Sequence, residues 1–157
     1  QGGSKKRKEE NIELAKVRAQ KLLNSQRRED VIILAMLYWA EGGKSERAGG
    51  LKFTNTDPAL AKLYISLLRL AYQLDESRIR VRLHLHYYHR HREAVAFWSK
   101  LLDVPSSQFG KIYVKKRSVL KRFRKNFQGI CFINYFDGAV RRELLSLGQQ
   151  IAKKYAE

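Results

Sequence analysis

Nine residues from Arg78 to His86 alternate without a fault between polar and apolar side chains. A β-strand turns successive side chains to opposite faces, so this stretch predicts a strand with one dry face and one wet one. Ile79, Val81, Leu83 and Leu85 would pack on a core, while Arg78, Arg80, Arg82, His84 and His86 would point outward. A strand so divided belongs to a sheet covered on one side only, as antiparallel sheets commonly are. The chain of 157 residues, 44% apolar, is long enough to bury one core without disulfides. Its single cysteine, Cys131, has no intramolecular partner, which fits a reducing compartment.

Helical periodicity supplies the cover. Leu60, Leu63, Tyr64, Leu67, Leu68 and Ala71 form one face of a helix introduced by Asp57 as N-cap and Pro58 at the first turn. Val95, Phe97, Trp98, Leu101 and Leu102 mark a helix over 92–102, and Val140, Leu144, Leu147 and Ile151 mark a last helix capped by Asp137. Ile12, Ala15, Ala19, Leu22 and Gln26 give a stripe on an amphipathic helix over 9–27. Between Val31 and Ala40 every residue is apolar, so that helix has no wet face and is expected at the centre, ended by Gly42-Gly43. Ten apolar residues fall short of the ~18 that a membrane span needs. Further strands are expected at 51–54, with 44–48 as a hairpin partner across Gly49-Gly50, and at 111–115 and 130–136. The class is α+β: a mostly antiparallel sheet, helices on one face, a basic outer face. Gln1-Gly2-Gly3-Ser4 is expected to lie outside the fold as a cloning remnant. Residues 5–30 would form a basic linker helix, and 31–157 the main domain.

Charge narrows the partner. The formal net charge is +17, and residues 76–126 alone hold 14 basic and 3 acidic groups. Lys111, Lys115, Lys116, Arg117, Lys121, Arg122, Arg124 and Lys125 fall in one stretch without an acid. Such concentration implies a polyanionic partner rather than a merely hydrated surface. Residues two apart on a strand lie ~6.6 Å apart, about two base steps. Arg78, Arg80 and Arg82, with His84 and His86, could therefore read base edges in a major groove. Lys111, Lys115, Lys116, Arg117, Lys121 and Arg122 would neutralise phosphates. Duplex DNA suits this better than A-form RNA, whose deep major groove side chains cannot read. Single-stranded RNA on Tyr87, Tyr88 and Tyr113 is a rival. All four histidines lie between His84 and His91. Zinc needs three or four convergent ligands, and phosphate contact or a polar face is the better reading.

At the end of the apolar helix stands Leu34-Ala35-Met36-Leu37-Tyr38-Trp39-Ala40-Glu41-Gly42. A carboxylate at a helix C-terminus faces the negative end of the macrodipole, so Glu41 needs either a basic neighbour or a cation, unless it simply projects into solvent. The nonapeptide resembles the signature of the LAGLIDADG homing endonucleases at Leu34, Ala35, Leu37, Ala40 and Gly42, with Glu41 at the acidic position. Met36 and Trp39 depart from it. The resemblance is to small single-motif members and spans about residues 31–155. It implies a curved, mostly antiparallel sheet and a homodimer paired through the helix 31–41. It further implies a shared site in which Glu41 of each copy binds Mg²⁺ against the scissile phosphates of double-stranded DNA. A pseudo-palindromic target follows from the two-fold. The expected activity is divalent-metal-dependent double-strand cleavage. A transcription regulator on the same scaffold, without cleavage, is the alternative. Either would be cytoplasmic, and nucleoid-associated in a bacterium or archaeon.

Overall fold

The computed structural model describes residues 2–45, 49–117 and 123–156. Its frame is a four-stranded mixed sheet. The strands β1 (Leu51–Asn55), β2 (Ile79–His86), β3 (Tyr113–Lys115) and β4 (Ile130–Tyr135) lie in the order β1-β4-β2-β3. The β4 strand runs antiparallel to both neighbours, pairing Phe53 with Ile133 and Val81 with Ile133. β3 runs parallel to β2, with His84 opposite Tyr113 and His86 opposite Lys115. The sheet is thus mostly antiparallel, with one parallel edge produced by a helical crossover between β2 and β3.

Among the described residues five α-helices accompany it: α1 (Gly2–Leu23), α2 (Arg28–Glu41), α3 (Pro58–Ala71), α4 (His91–Leu102) and α5 (Gly138–Ala156). Starts follow local chemistry. The Asp57 carboxylate accepts from the Ala59 amide at 2.8 Å and Pro58 opens α3. Asp137 accepts from the Ala139 and Val140 amides at 2.9 and 3.1 Å and opens α5. The alternating strand places Ile79, Val81, Leu83 and Leu85 in a single core with Leu34 and Tyr38 of α2, Tyr64 and Leu68 of α3, Trp98 of α4, and Leu144 and Leu147 of α5. Within it the Phe53 and Tyr64 rings stack at 4.1 Å.

Several expectations are corrected. The helix α1 already begins at Gly2, earlier than the stripe over 9–27 implies. α1 stops at Leu23, leaving Gln26 exposed, and Ala19 belongs to the common core, so packing crosses the boundary expected at 31. Lys44 and Ser45 are not in a strand, and 46–48 lie outside the described residues. In place of the hairpin, Gly42 bridges to Phe53 and the Gly43 amide donates to the Lys52 carbonyl. The helix α2 is not dry all round. Val31, Leu34, Ala35 and Tyr38 are buried, but Ile33 is 48% exposed and Trp39 39% exposed. Ile33, Met36, Leu37 and Ala40, at spacings of three and four, form its open side, half-buried or exposed.

Candidate nucleic-acid interface

The outer face of the sheet follows from strand parity. Register sets Lys52, Asn134 and Arg80 in one row and Thr54, Phe132 and Arg82 in the next. His84 then follows between Ile130 and Tyr113, and His86 beside Lys115. None of these residues is acidic. Their side chains are exposed or half-buried, whereas on β2 and β4 their in-strand neighbours are buried, as are Leu51 and Phe53 on β1; the edge strand β3 is exposed throughout. Rows along the face are ~6.6 Å apart. His84 rests among rings, 4.3 Å from Phe132 and 4.8 Å from Tyr113.

The outward set is not uniform. Arg78 precedes the strand in a 3₁₀ turn over Glu76–Arg78, pairs with Asp137 at 3.2 Å, donates to the Phe136 carbonyl and lies over the Tyr135 ring. It therefore ties the start of β2 to the start of α5, and is not one of the aligned outward side chains. Arg80 bends back to donate to the carbonyls of Ser77 and Ile79. Arg82 is exposed at the centre of the face. His86 sits over Tyr88, Phe127 and His89. His89 accepts from the His86 amide at Nδ1 (2.8 Å), leaving Nε2 to donate to the Phe127 carbonyl (2.6 Å). Both its nitrogens are used in closing the turn after β2, which accounts for one of the four histidines without a metal.

Lys111, Lys115, Lys116 and Arg117 are all exposed along the β3 edge. Arg117 stands over the Tyr87 ring at 5.6 Å, and Arg124 over Phe127 at 5.9 Å. Lys121 and Arg122 lie outside the described residues. Strand reading had missed Lys52, Thr54 and Asn134. The alternation of Leu51 and Phe53 with Lys52 and Thr54 held the signal, but their place beside β2 depends on β4 pairing with both strands. The aromatic cluster of Tyr87, Tyr88, Phe123 and Phe127 was legible only in part, because Tyr88 meets Phe123 (5.0 Å) across 35 residues of chain.

Glu41 is the last residue of α2 and exposed, and its Oε2 accepts from the Asn55 amide at 3.4 Å at the end of β1. Its compensation within one chain is thus an amide and solvent. The chain leaves the helix tightly: a Cβ on Gly42 would come within 2.4 Å of the Tyr38 carbonyl and 2.5 Å of its ring. Only glycine allows Tyr38 to donate to the Gly43 carbonyl (2.9 Å) and receive the Lys52 amide (3.4 Å), fixing Glu41 beside β1. Burial pushes the Tyr38 phenol up, offset in part by the Lys52 amide and by Arg141. Among the described residues, no three His, Cys, Asp or Glu side chains gather as a metal site, and no helix is long and apolar enough to cross a membrane. No family model, curated protein or solved structure matches the chain.

Proposed function

We propose that the chain is a small LAGLIDADG-like protein that binds double-stranded DNA on the outer sheet face. As a homodimer paired through 31–41, it would cleave that DNA with two Glu41 carboxylates. The observation behind this reading is the acid-free outer face, on which Lys52, Arg82, His84 and Lys115 accompany Thr54 and Asn134. Cations there would hold phosphates, while Thr54, Asn134 and Arg82 supply donors and acceptors for base edges. The open side of α2 offers an apolar strip to a second copy, and Glu41 closes that helix next to β1.

A divalent ion fits this donor set only in part within one chain. Mg²⁺ is commonly held by one or two carboxylates with substrate phosphates and water completing its octahedron. One Glu41 with a neutral amide beside it is half of such a set; two Glu41 from paired chains and the phosphates complete it. When bound, the ion would supply charge stabilisation at the phosphate and an activated water. The protein's own part is to present the two carboxylates, grip the duplex and align it along the face. The second reading, a regulator that binds without cutting, is favoured by Asn55 satisfying Glu41 within a single chain.

Incubation with a supercoiled library of randomised targets, with and without Mg²⁺, tests both. Metal-dependent cutting by the parent and none by Glu41→Gln, with duplex affinity kept, is the expected result. Undiminished cutting by the variant removes Glu41 from the chemistry. Tight, salt-sensitive binding without cutting under Mg²⁺ or Mn²⁺ selects the regulator, and no duplex binding discards the reading.

A further inference from the structure

On the helical side of the molecule, away from the sheet face, a cleft of about 650 Å³ opens between α1 and α5 and is walled by Trp39 at the end of α2. Ligand pockets of small molecules span ~300–1,000 Å³. Among the described residues six cations line this one, Arg7, Lys8, Lys16, Lys44, Arg141 and Arg142, and no carboxylate does; Glu46 lies outside the described residues. Lys16 is paired with Glu13 at 2.6 Å. Arg7, Lys44 and Arg142 have no carboxylate partner among the described residues.

Arg141 is the unusual member. It is 7% exposed, its Nη2 donates to the carbonyls of Lys44 and Ser45, both at 2.8 Å, and its buried Nε has no hydrogen-bond partner among the described residues. A guanidinium taken out of water needs countercharge as well as hydrogen bonds, and carbonyls provide only the latter. The α5 N-terminus does not explain the cluster, since Asp137 already occupies its first amides. Trp39 adds a flat apolar wall. Gly148 backs the indole, and a Cβ there would lie in ordinary van der Waals contact, 3.5 Å from the ring. The indole is thereby held against α5, at the edge of the cationic wall.

We propose that this cleft binds a nucleoside polyphosphate, with the base against Trp39 and the phosphates among Lys44, Arg141, Arg142 and Arg7. Aromatic stacking and multidentate guanidinium contacts are the two elements such a ligand requires. The site is independent of the sheet face and of DNA cleavage.

Titration of the full chain with ATP, tripolyphosphate and adenosine, at fixed ionic strength, tests it. Quenching by contact reads Trp39, because Trp98 also emits but is fully buried and out of a ligand's reach. ATP is expected to quench saturably with one-to-one stoichiometry, tripolyphosphate to bind at least tenfold more weakly, and adenosine not to bind. The Lys44→Ala/Arg142→Ala double variant should weaken ATP at least tenfold and leave duplex affinity unchanged. Trp39→Phe should abolish the quench while calorimetry still detects binding. Equal affinity for ATP and tripolyphosphate, or ATP binding lost in Arg82→Ala but kept in the double variant, overturns the proposal by moving the ligand to diffuse charge or to the sheet. Displacement of ATP by a 5′-phosphorylated single strand at far lower concentration overturns it in favour of a nucleic-acid end.

Discussion

Tyr64 stacks on Phe53 at the bottom of the core, fully buried, and its hydroxyl has no hydrogen-bond partner among the described residues. Burial pushes its phenol well up. An unsatisfied buried hydroxyl costs ~1–3 kcal/mol, so Tyr64→Phe should stabilise the protein by about 1 kcal/mol in urea denaturation, with the slope unchanged. A loss of stability would mean that the hydroxyl is satisfied. On the outer face the two arginines differ by a comparable local detail. Arg80 is bent onto Ser77 and Ile79, whereas Arg82 stands in the open. Arg82→Ala should cost ~1–3 kcal/mol on a preferred duplex and relax base preference, and Arg80→Ala should cost less. Affinity series against salt, on preferred and random duplexes, check this. An equal loss for both variants on both duplexes would mean that the face grips phosphate only. The parity of 78–86 was fully legible in sequence because a strand's period is two, yet neither Arg80's bend nor the capture of Arg78 by Asp137 was. Those depend on a turn and on a residue 59 positions away.

Elements are joined by a few side chains rather than by packing alone. Arg69 of α3 makes two parallel bonds to Glu76 (2.9 and 2.8 Å) and donates to the carbonyls of Leu102 (2.7 Å) and Asp103 (2.9 Å). It thus fastens the turn before β2 and the C-terminus of α4 to one point, and supplies cations to α4's terminal carbonyls. The guanidinium holds the Glu76 carboxyl below its ordinary 4.5. A depressed carboxylate contributes stability that is present above its unfolded value and lost as pH falls through its folded value. Glu76→Gln should therefore lower the thermal midpoint at pH 7. The gap to the parent should close as pH falls below 4.5. A gap that persists to pH 2 would place the effect in packing. Element types were mostly visible beforehand, since caps such as Asp57 and Asp137 act locally. Partners were not. The hairpin expected at 44–54 gave way to β1 pairing with β4, about eighty residues on, and no local pattern encodes that choice. The all-apolar run of α2 was over-read for a related reason: without periodicity it could not say which side the core would leave open.

For the molecule as a whole, the proposed homodimer rests on the open strip of α2. Ile33, 48% exposed, with Met36, Leu37 and Ala40 runs along one side of a helix that ends in Glu41. The acid and the strip thus belong to one element. Pairing two copies along that strip would bury apolar area at ~25 cal/mol per Å² and bring two carboxylates toward a common site. Their mutual repulsion would make metal and dimer interdependent. Sedimentation at tens of micromolar should then show a homodimer, tightened by Mg²⁺ together with duplex. Ile33→Glu, which touches no core position, should give a monomer with unchanged circular dichroism, abolish cleavage and shorten the DNA footprint to one half-site. Met36→Gly separates the interface from its surroundings. It should strengthen pairing if two helices cross there, despite ~1 kcal/mol of lost helix propensity. It should only destabilise if they do not. A parent chain that sediments as a monomer and binds DNA one-to-one removes the two-fold, and with it the pseudo-palindromic target. The acid-free sheet would then be a monomeric DNA-binding face.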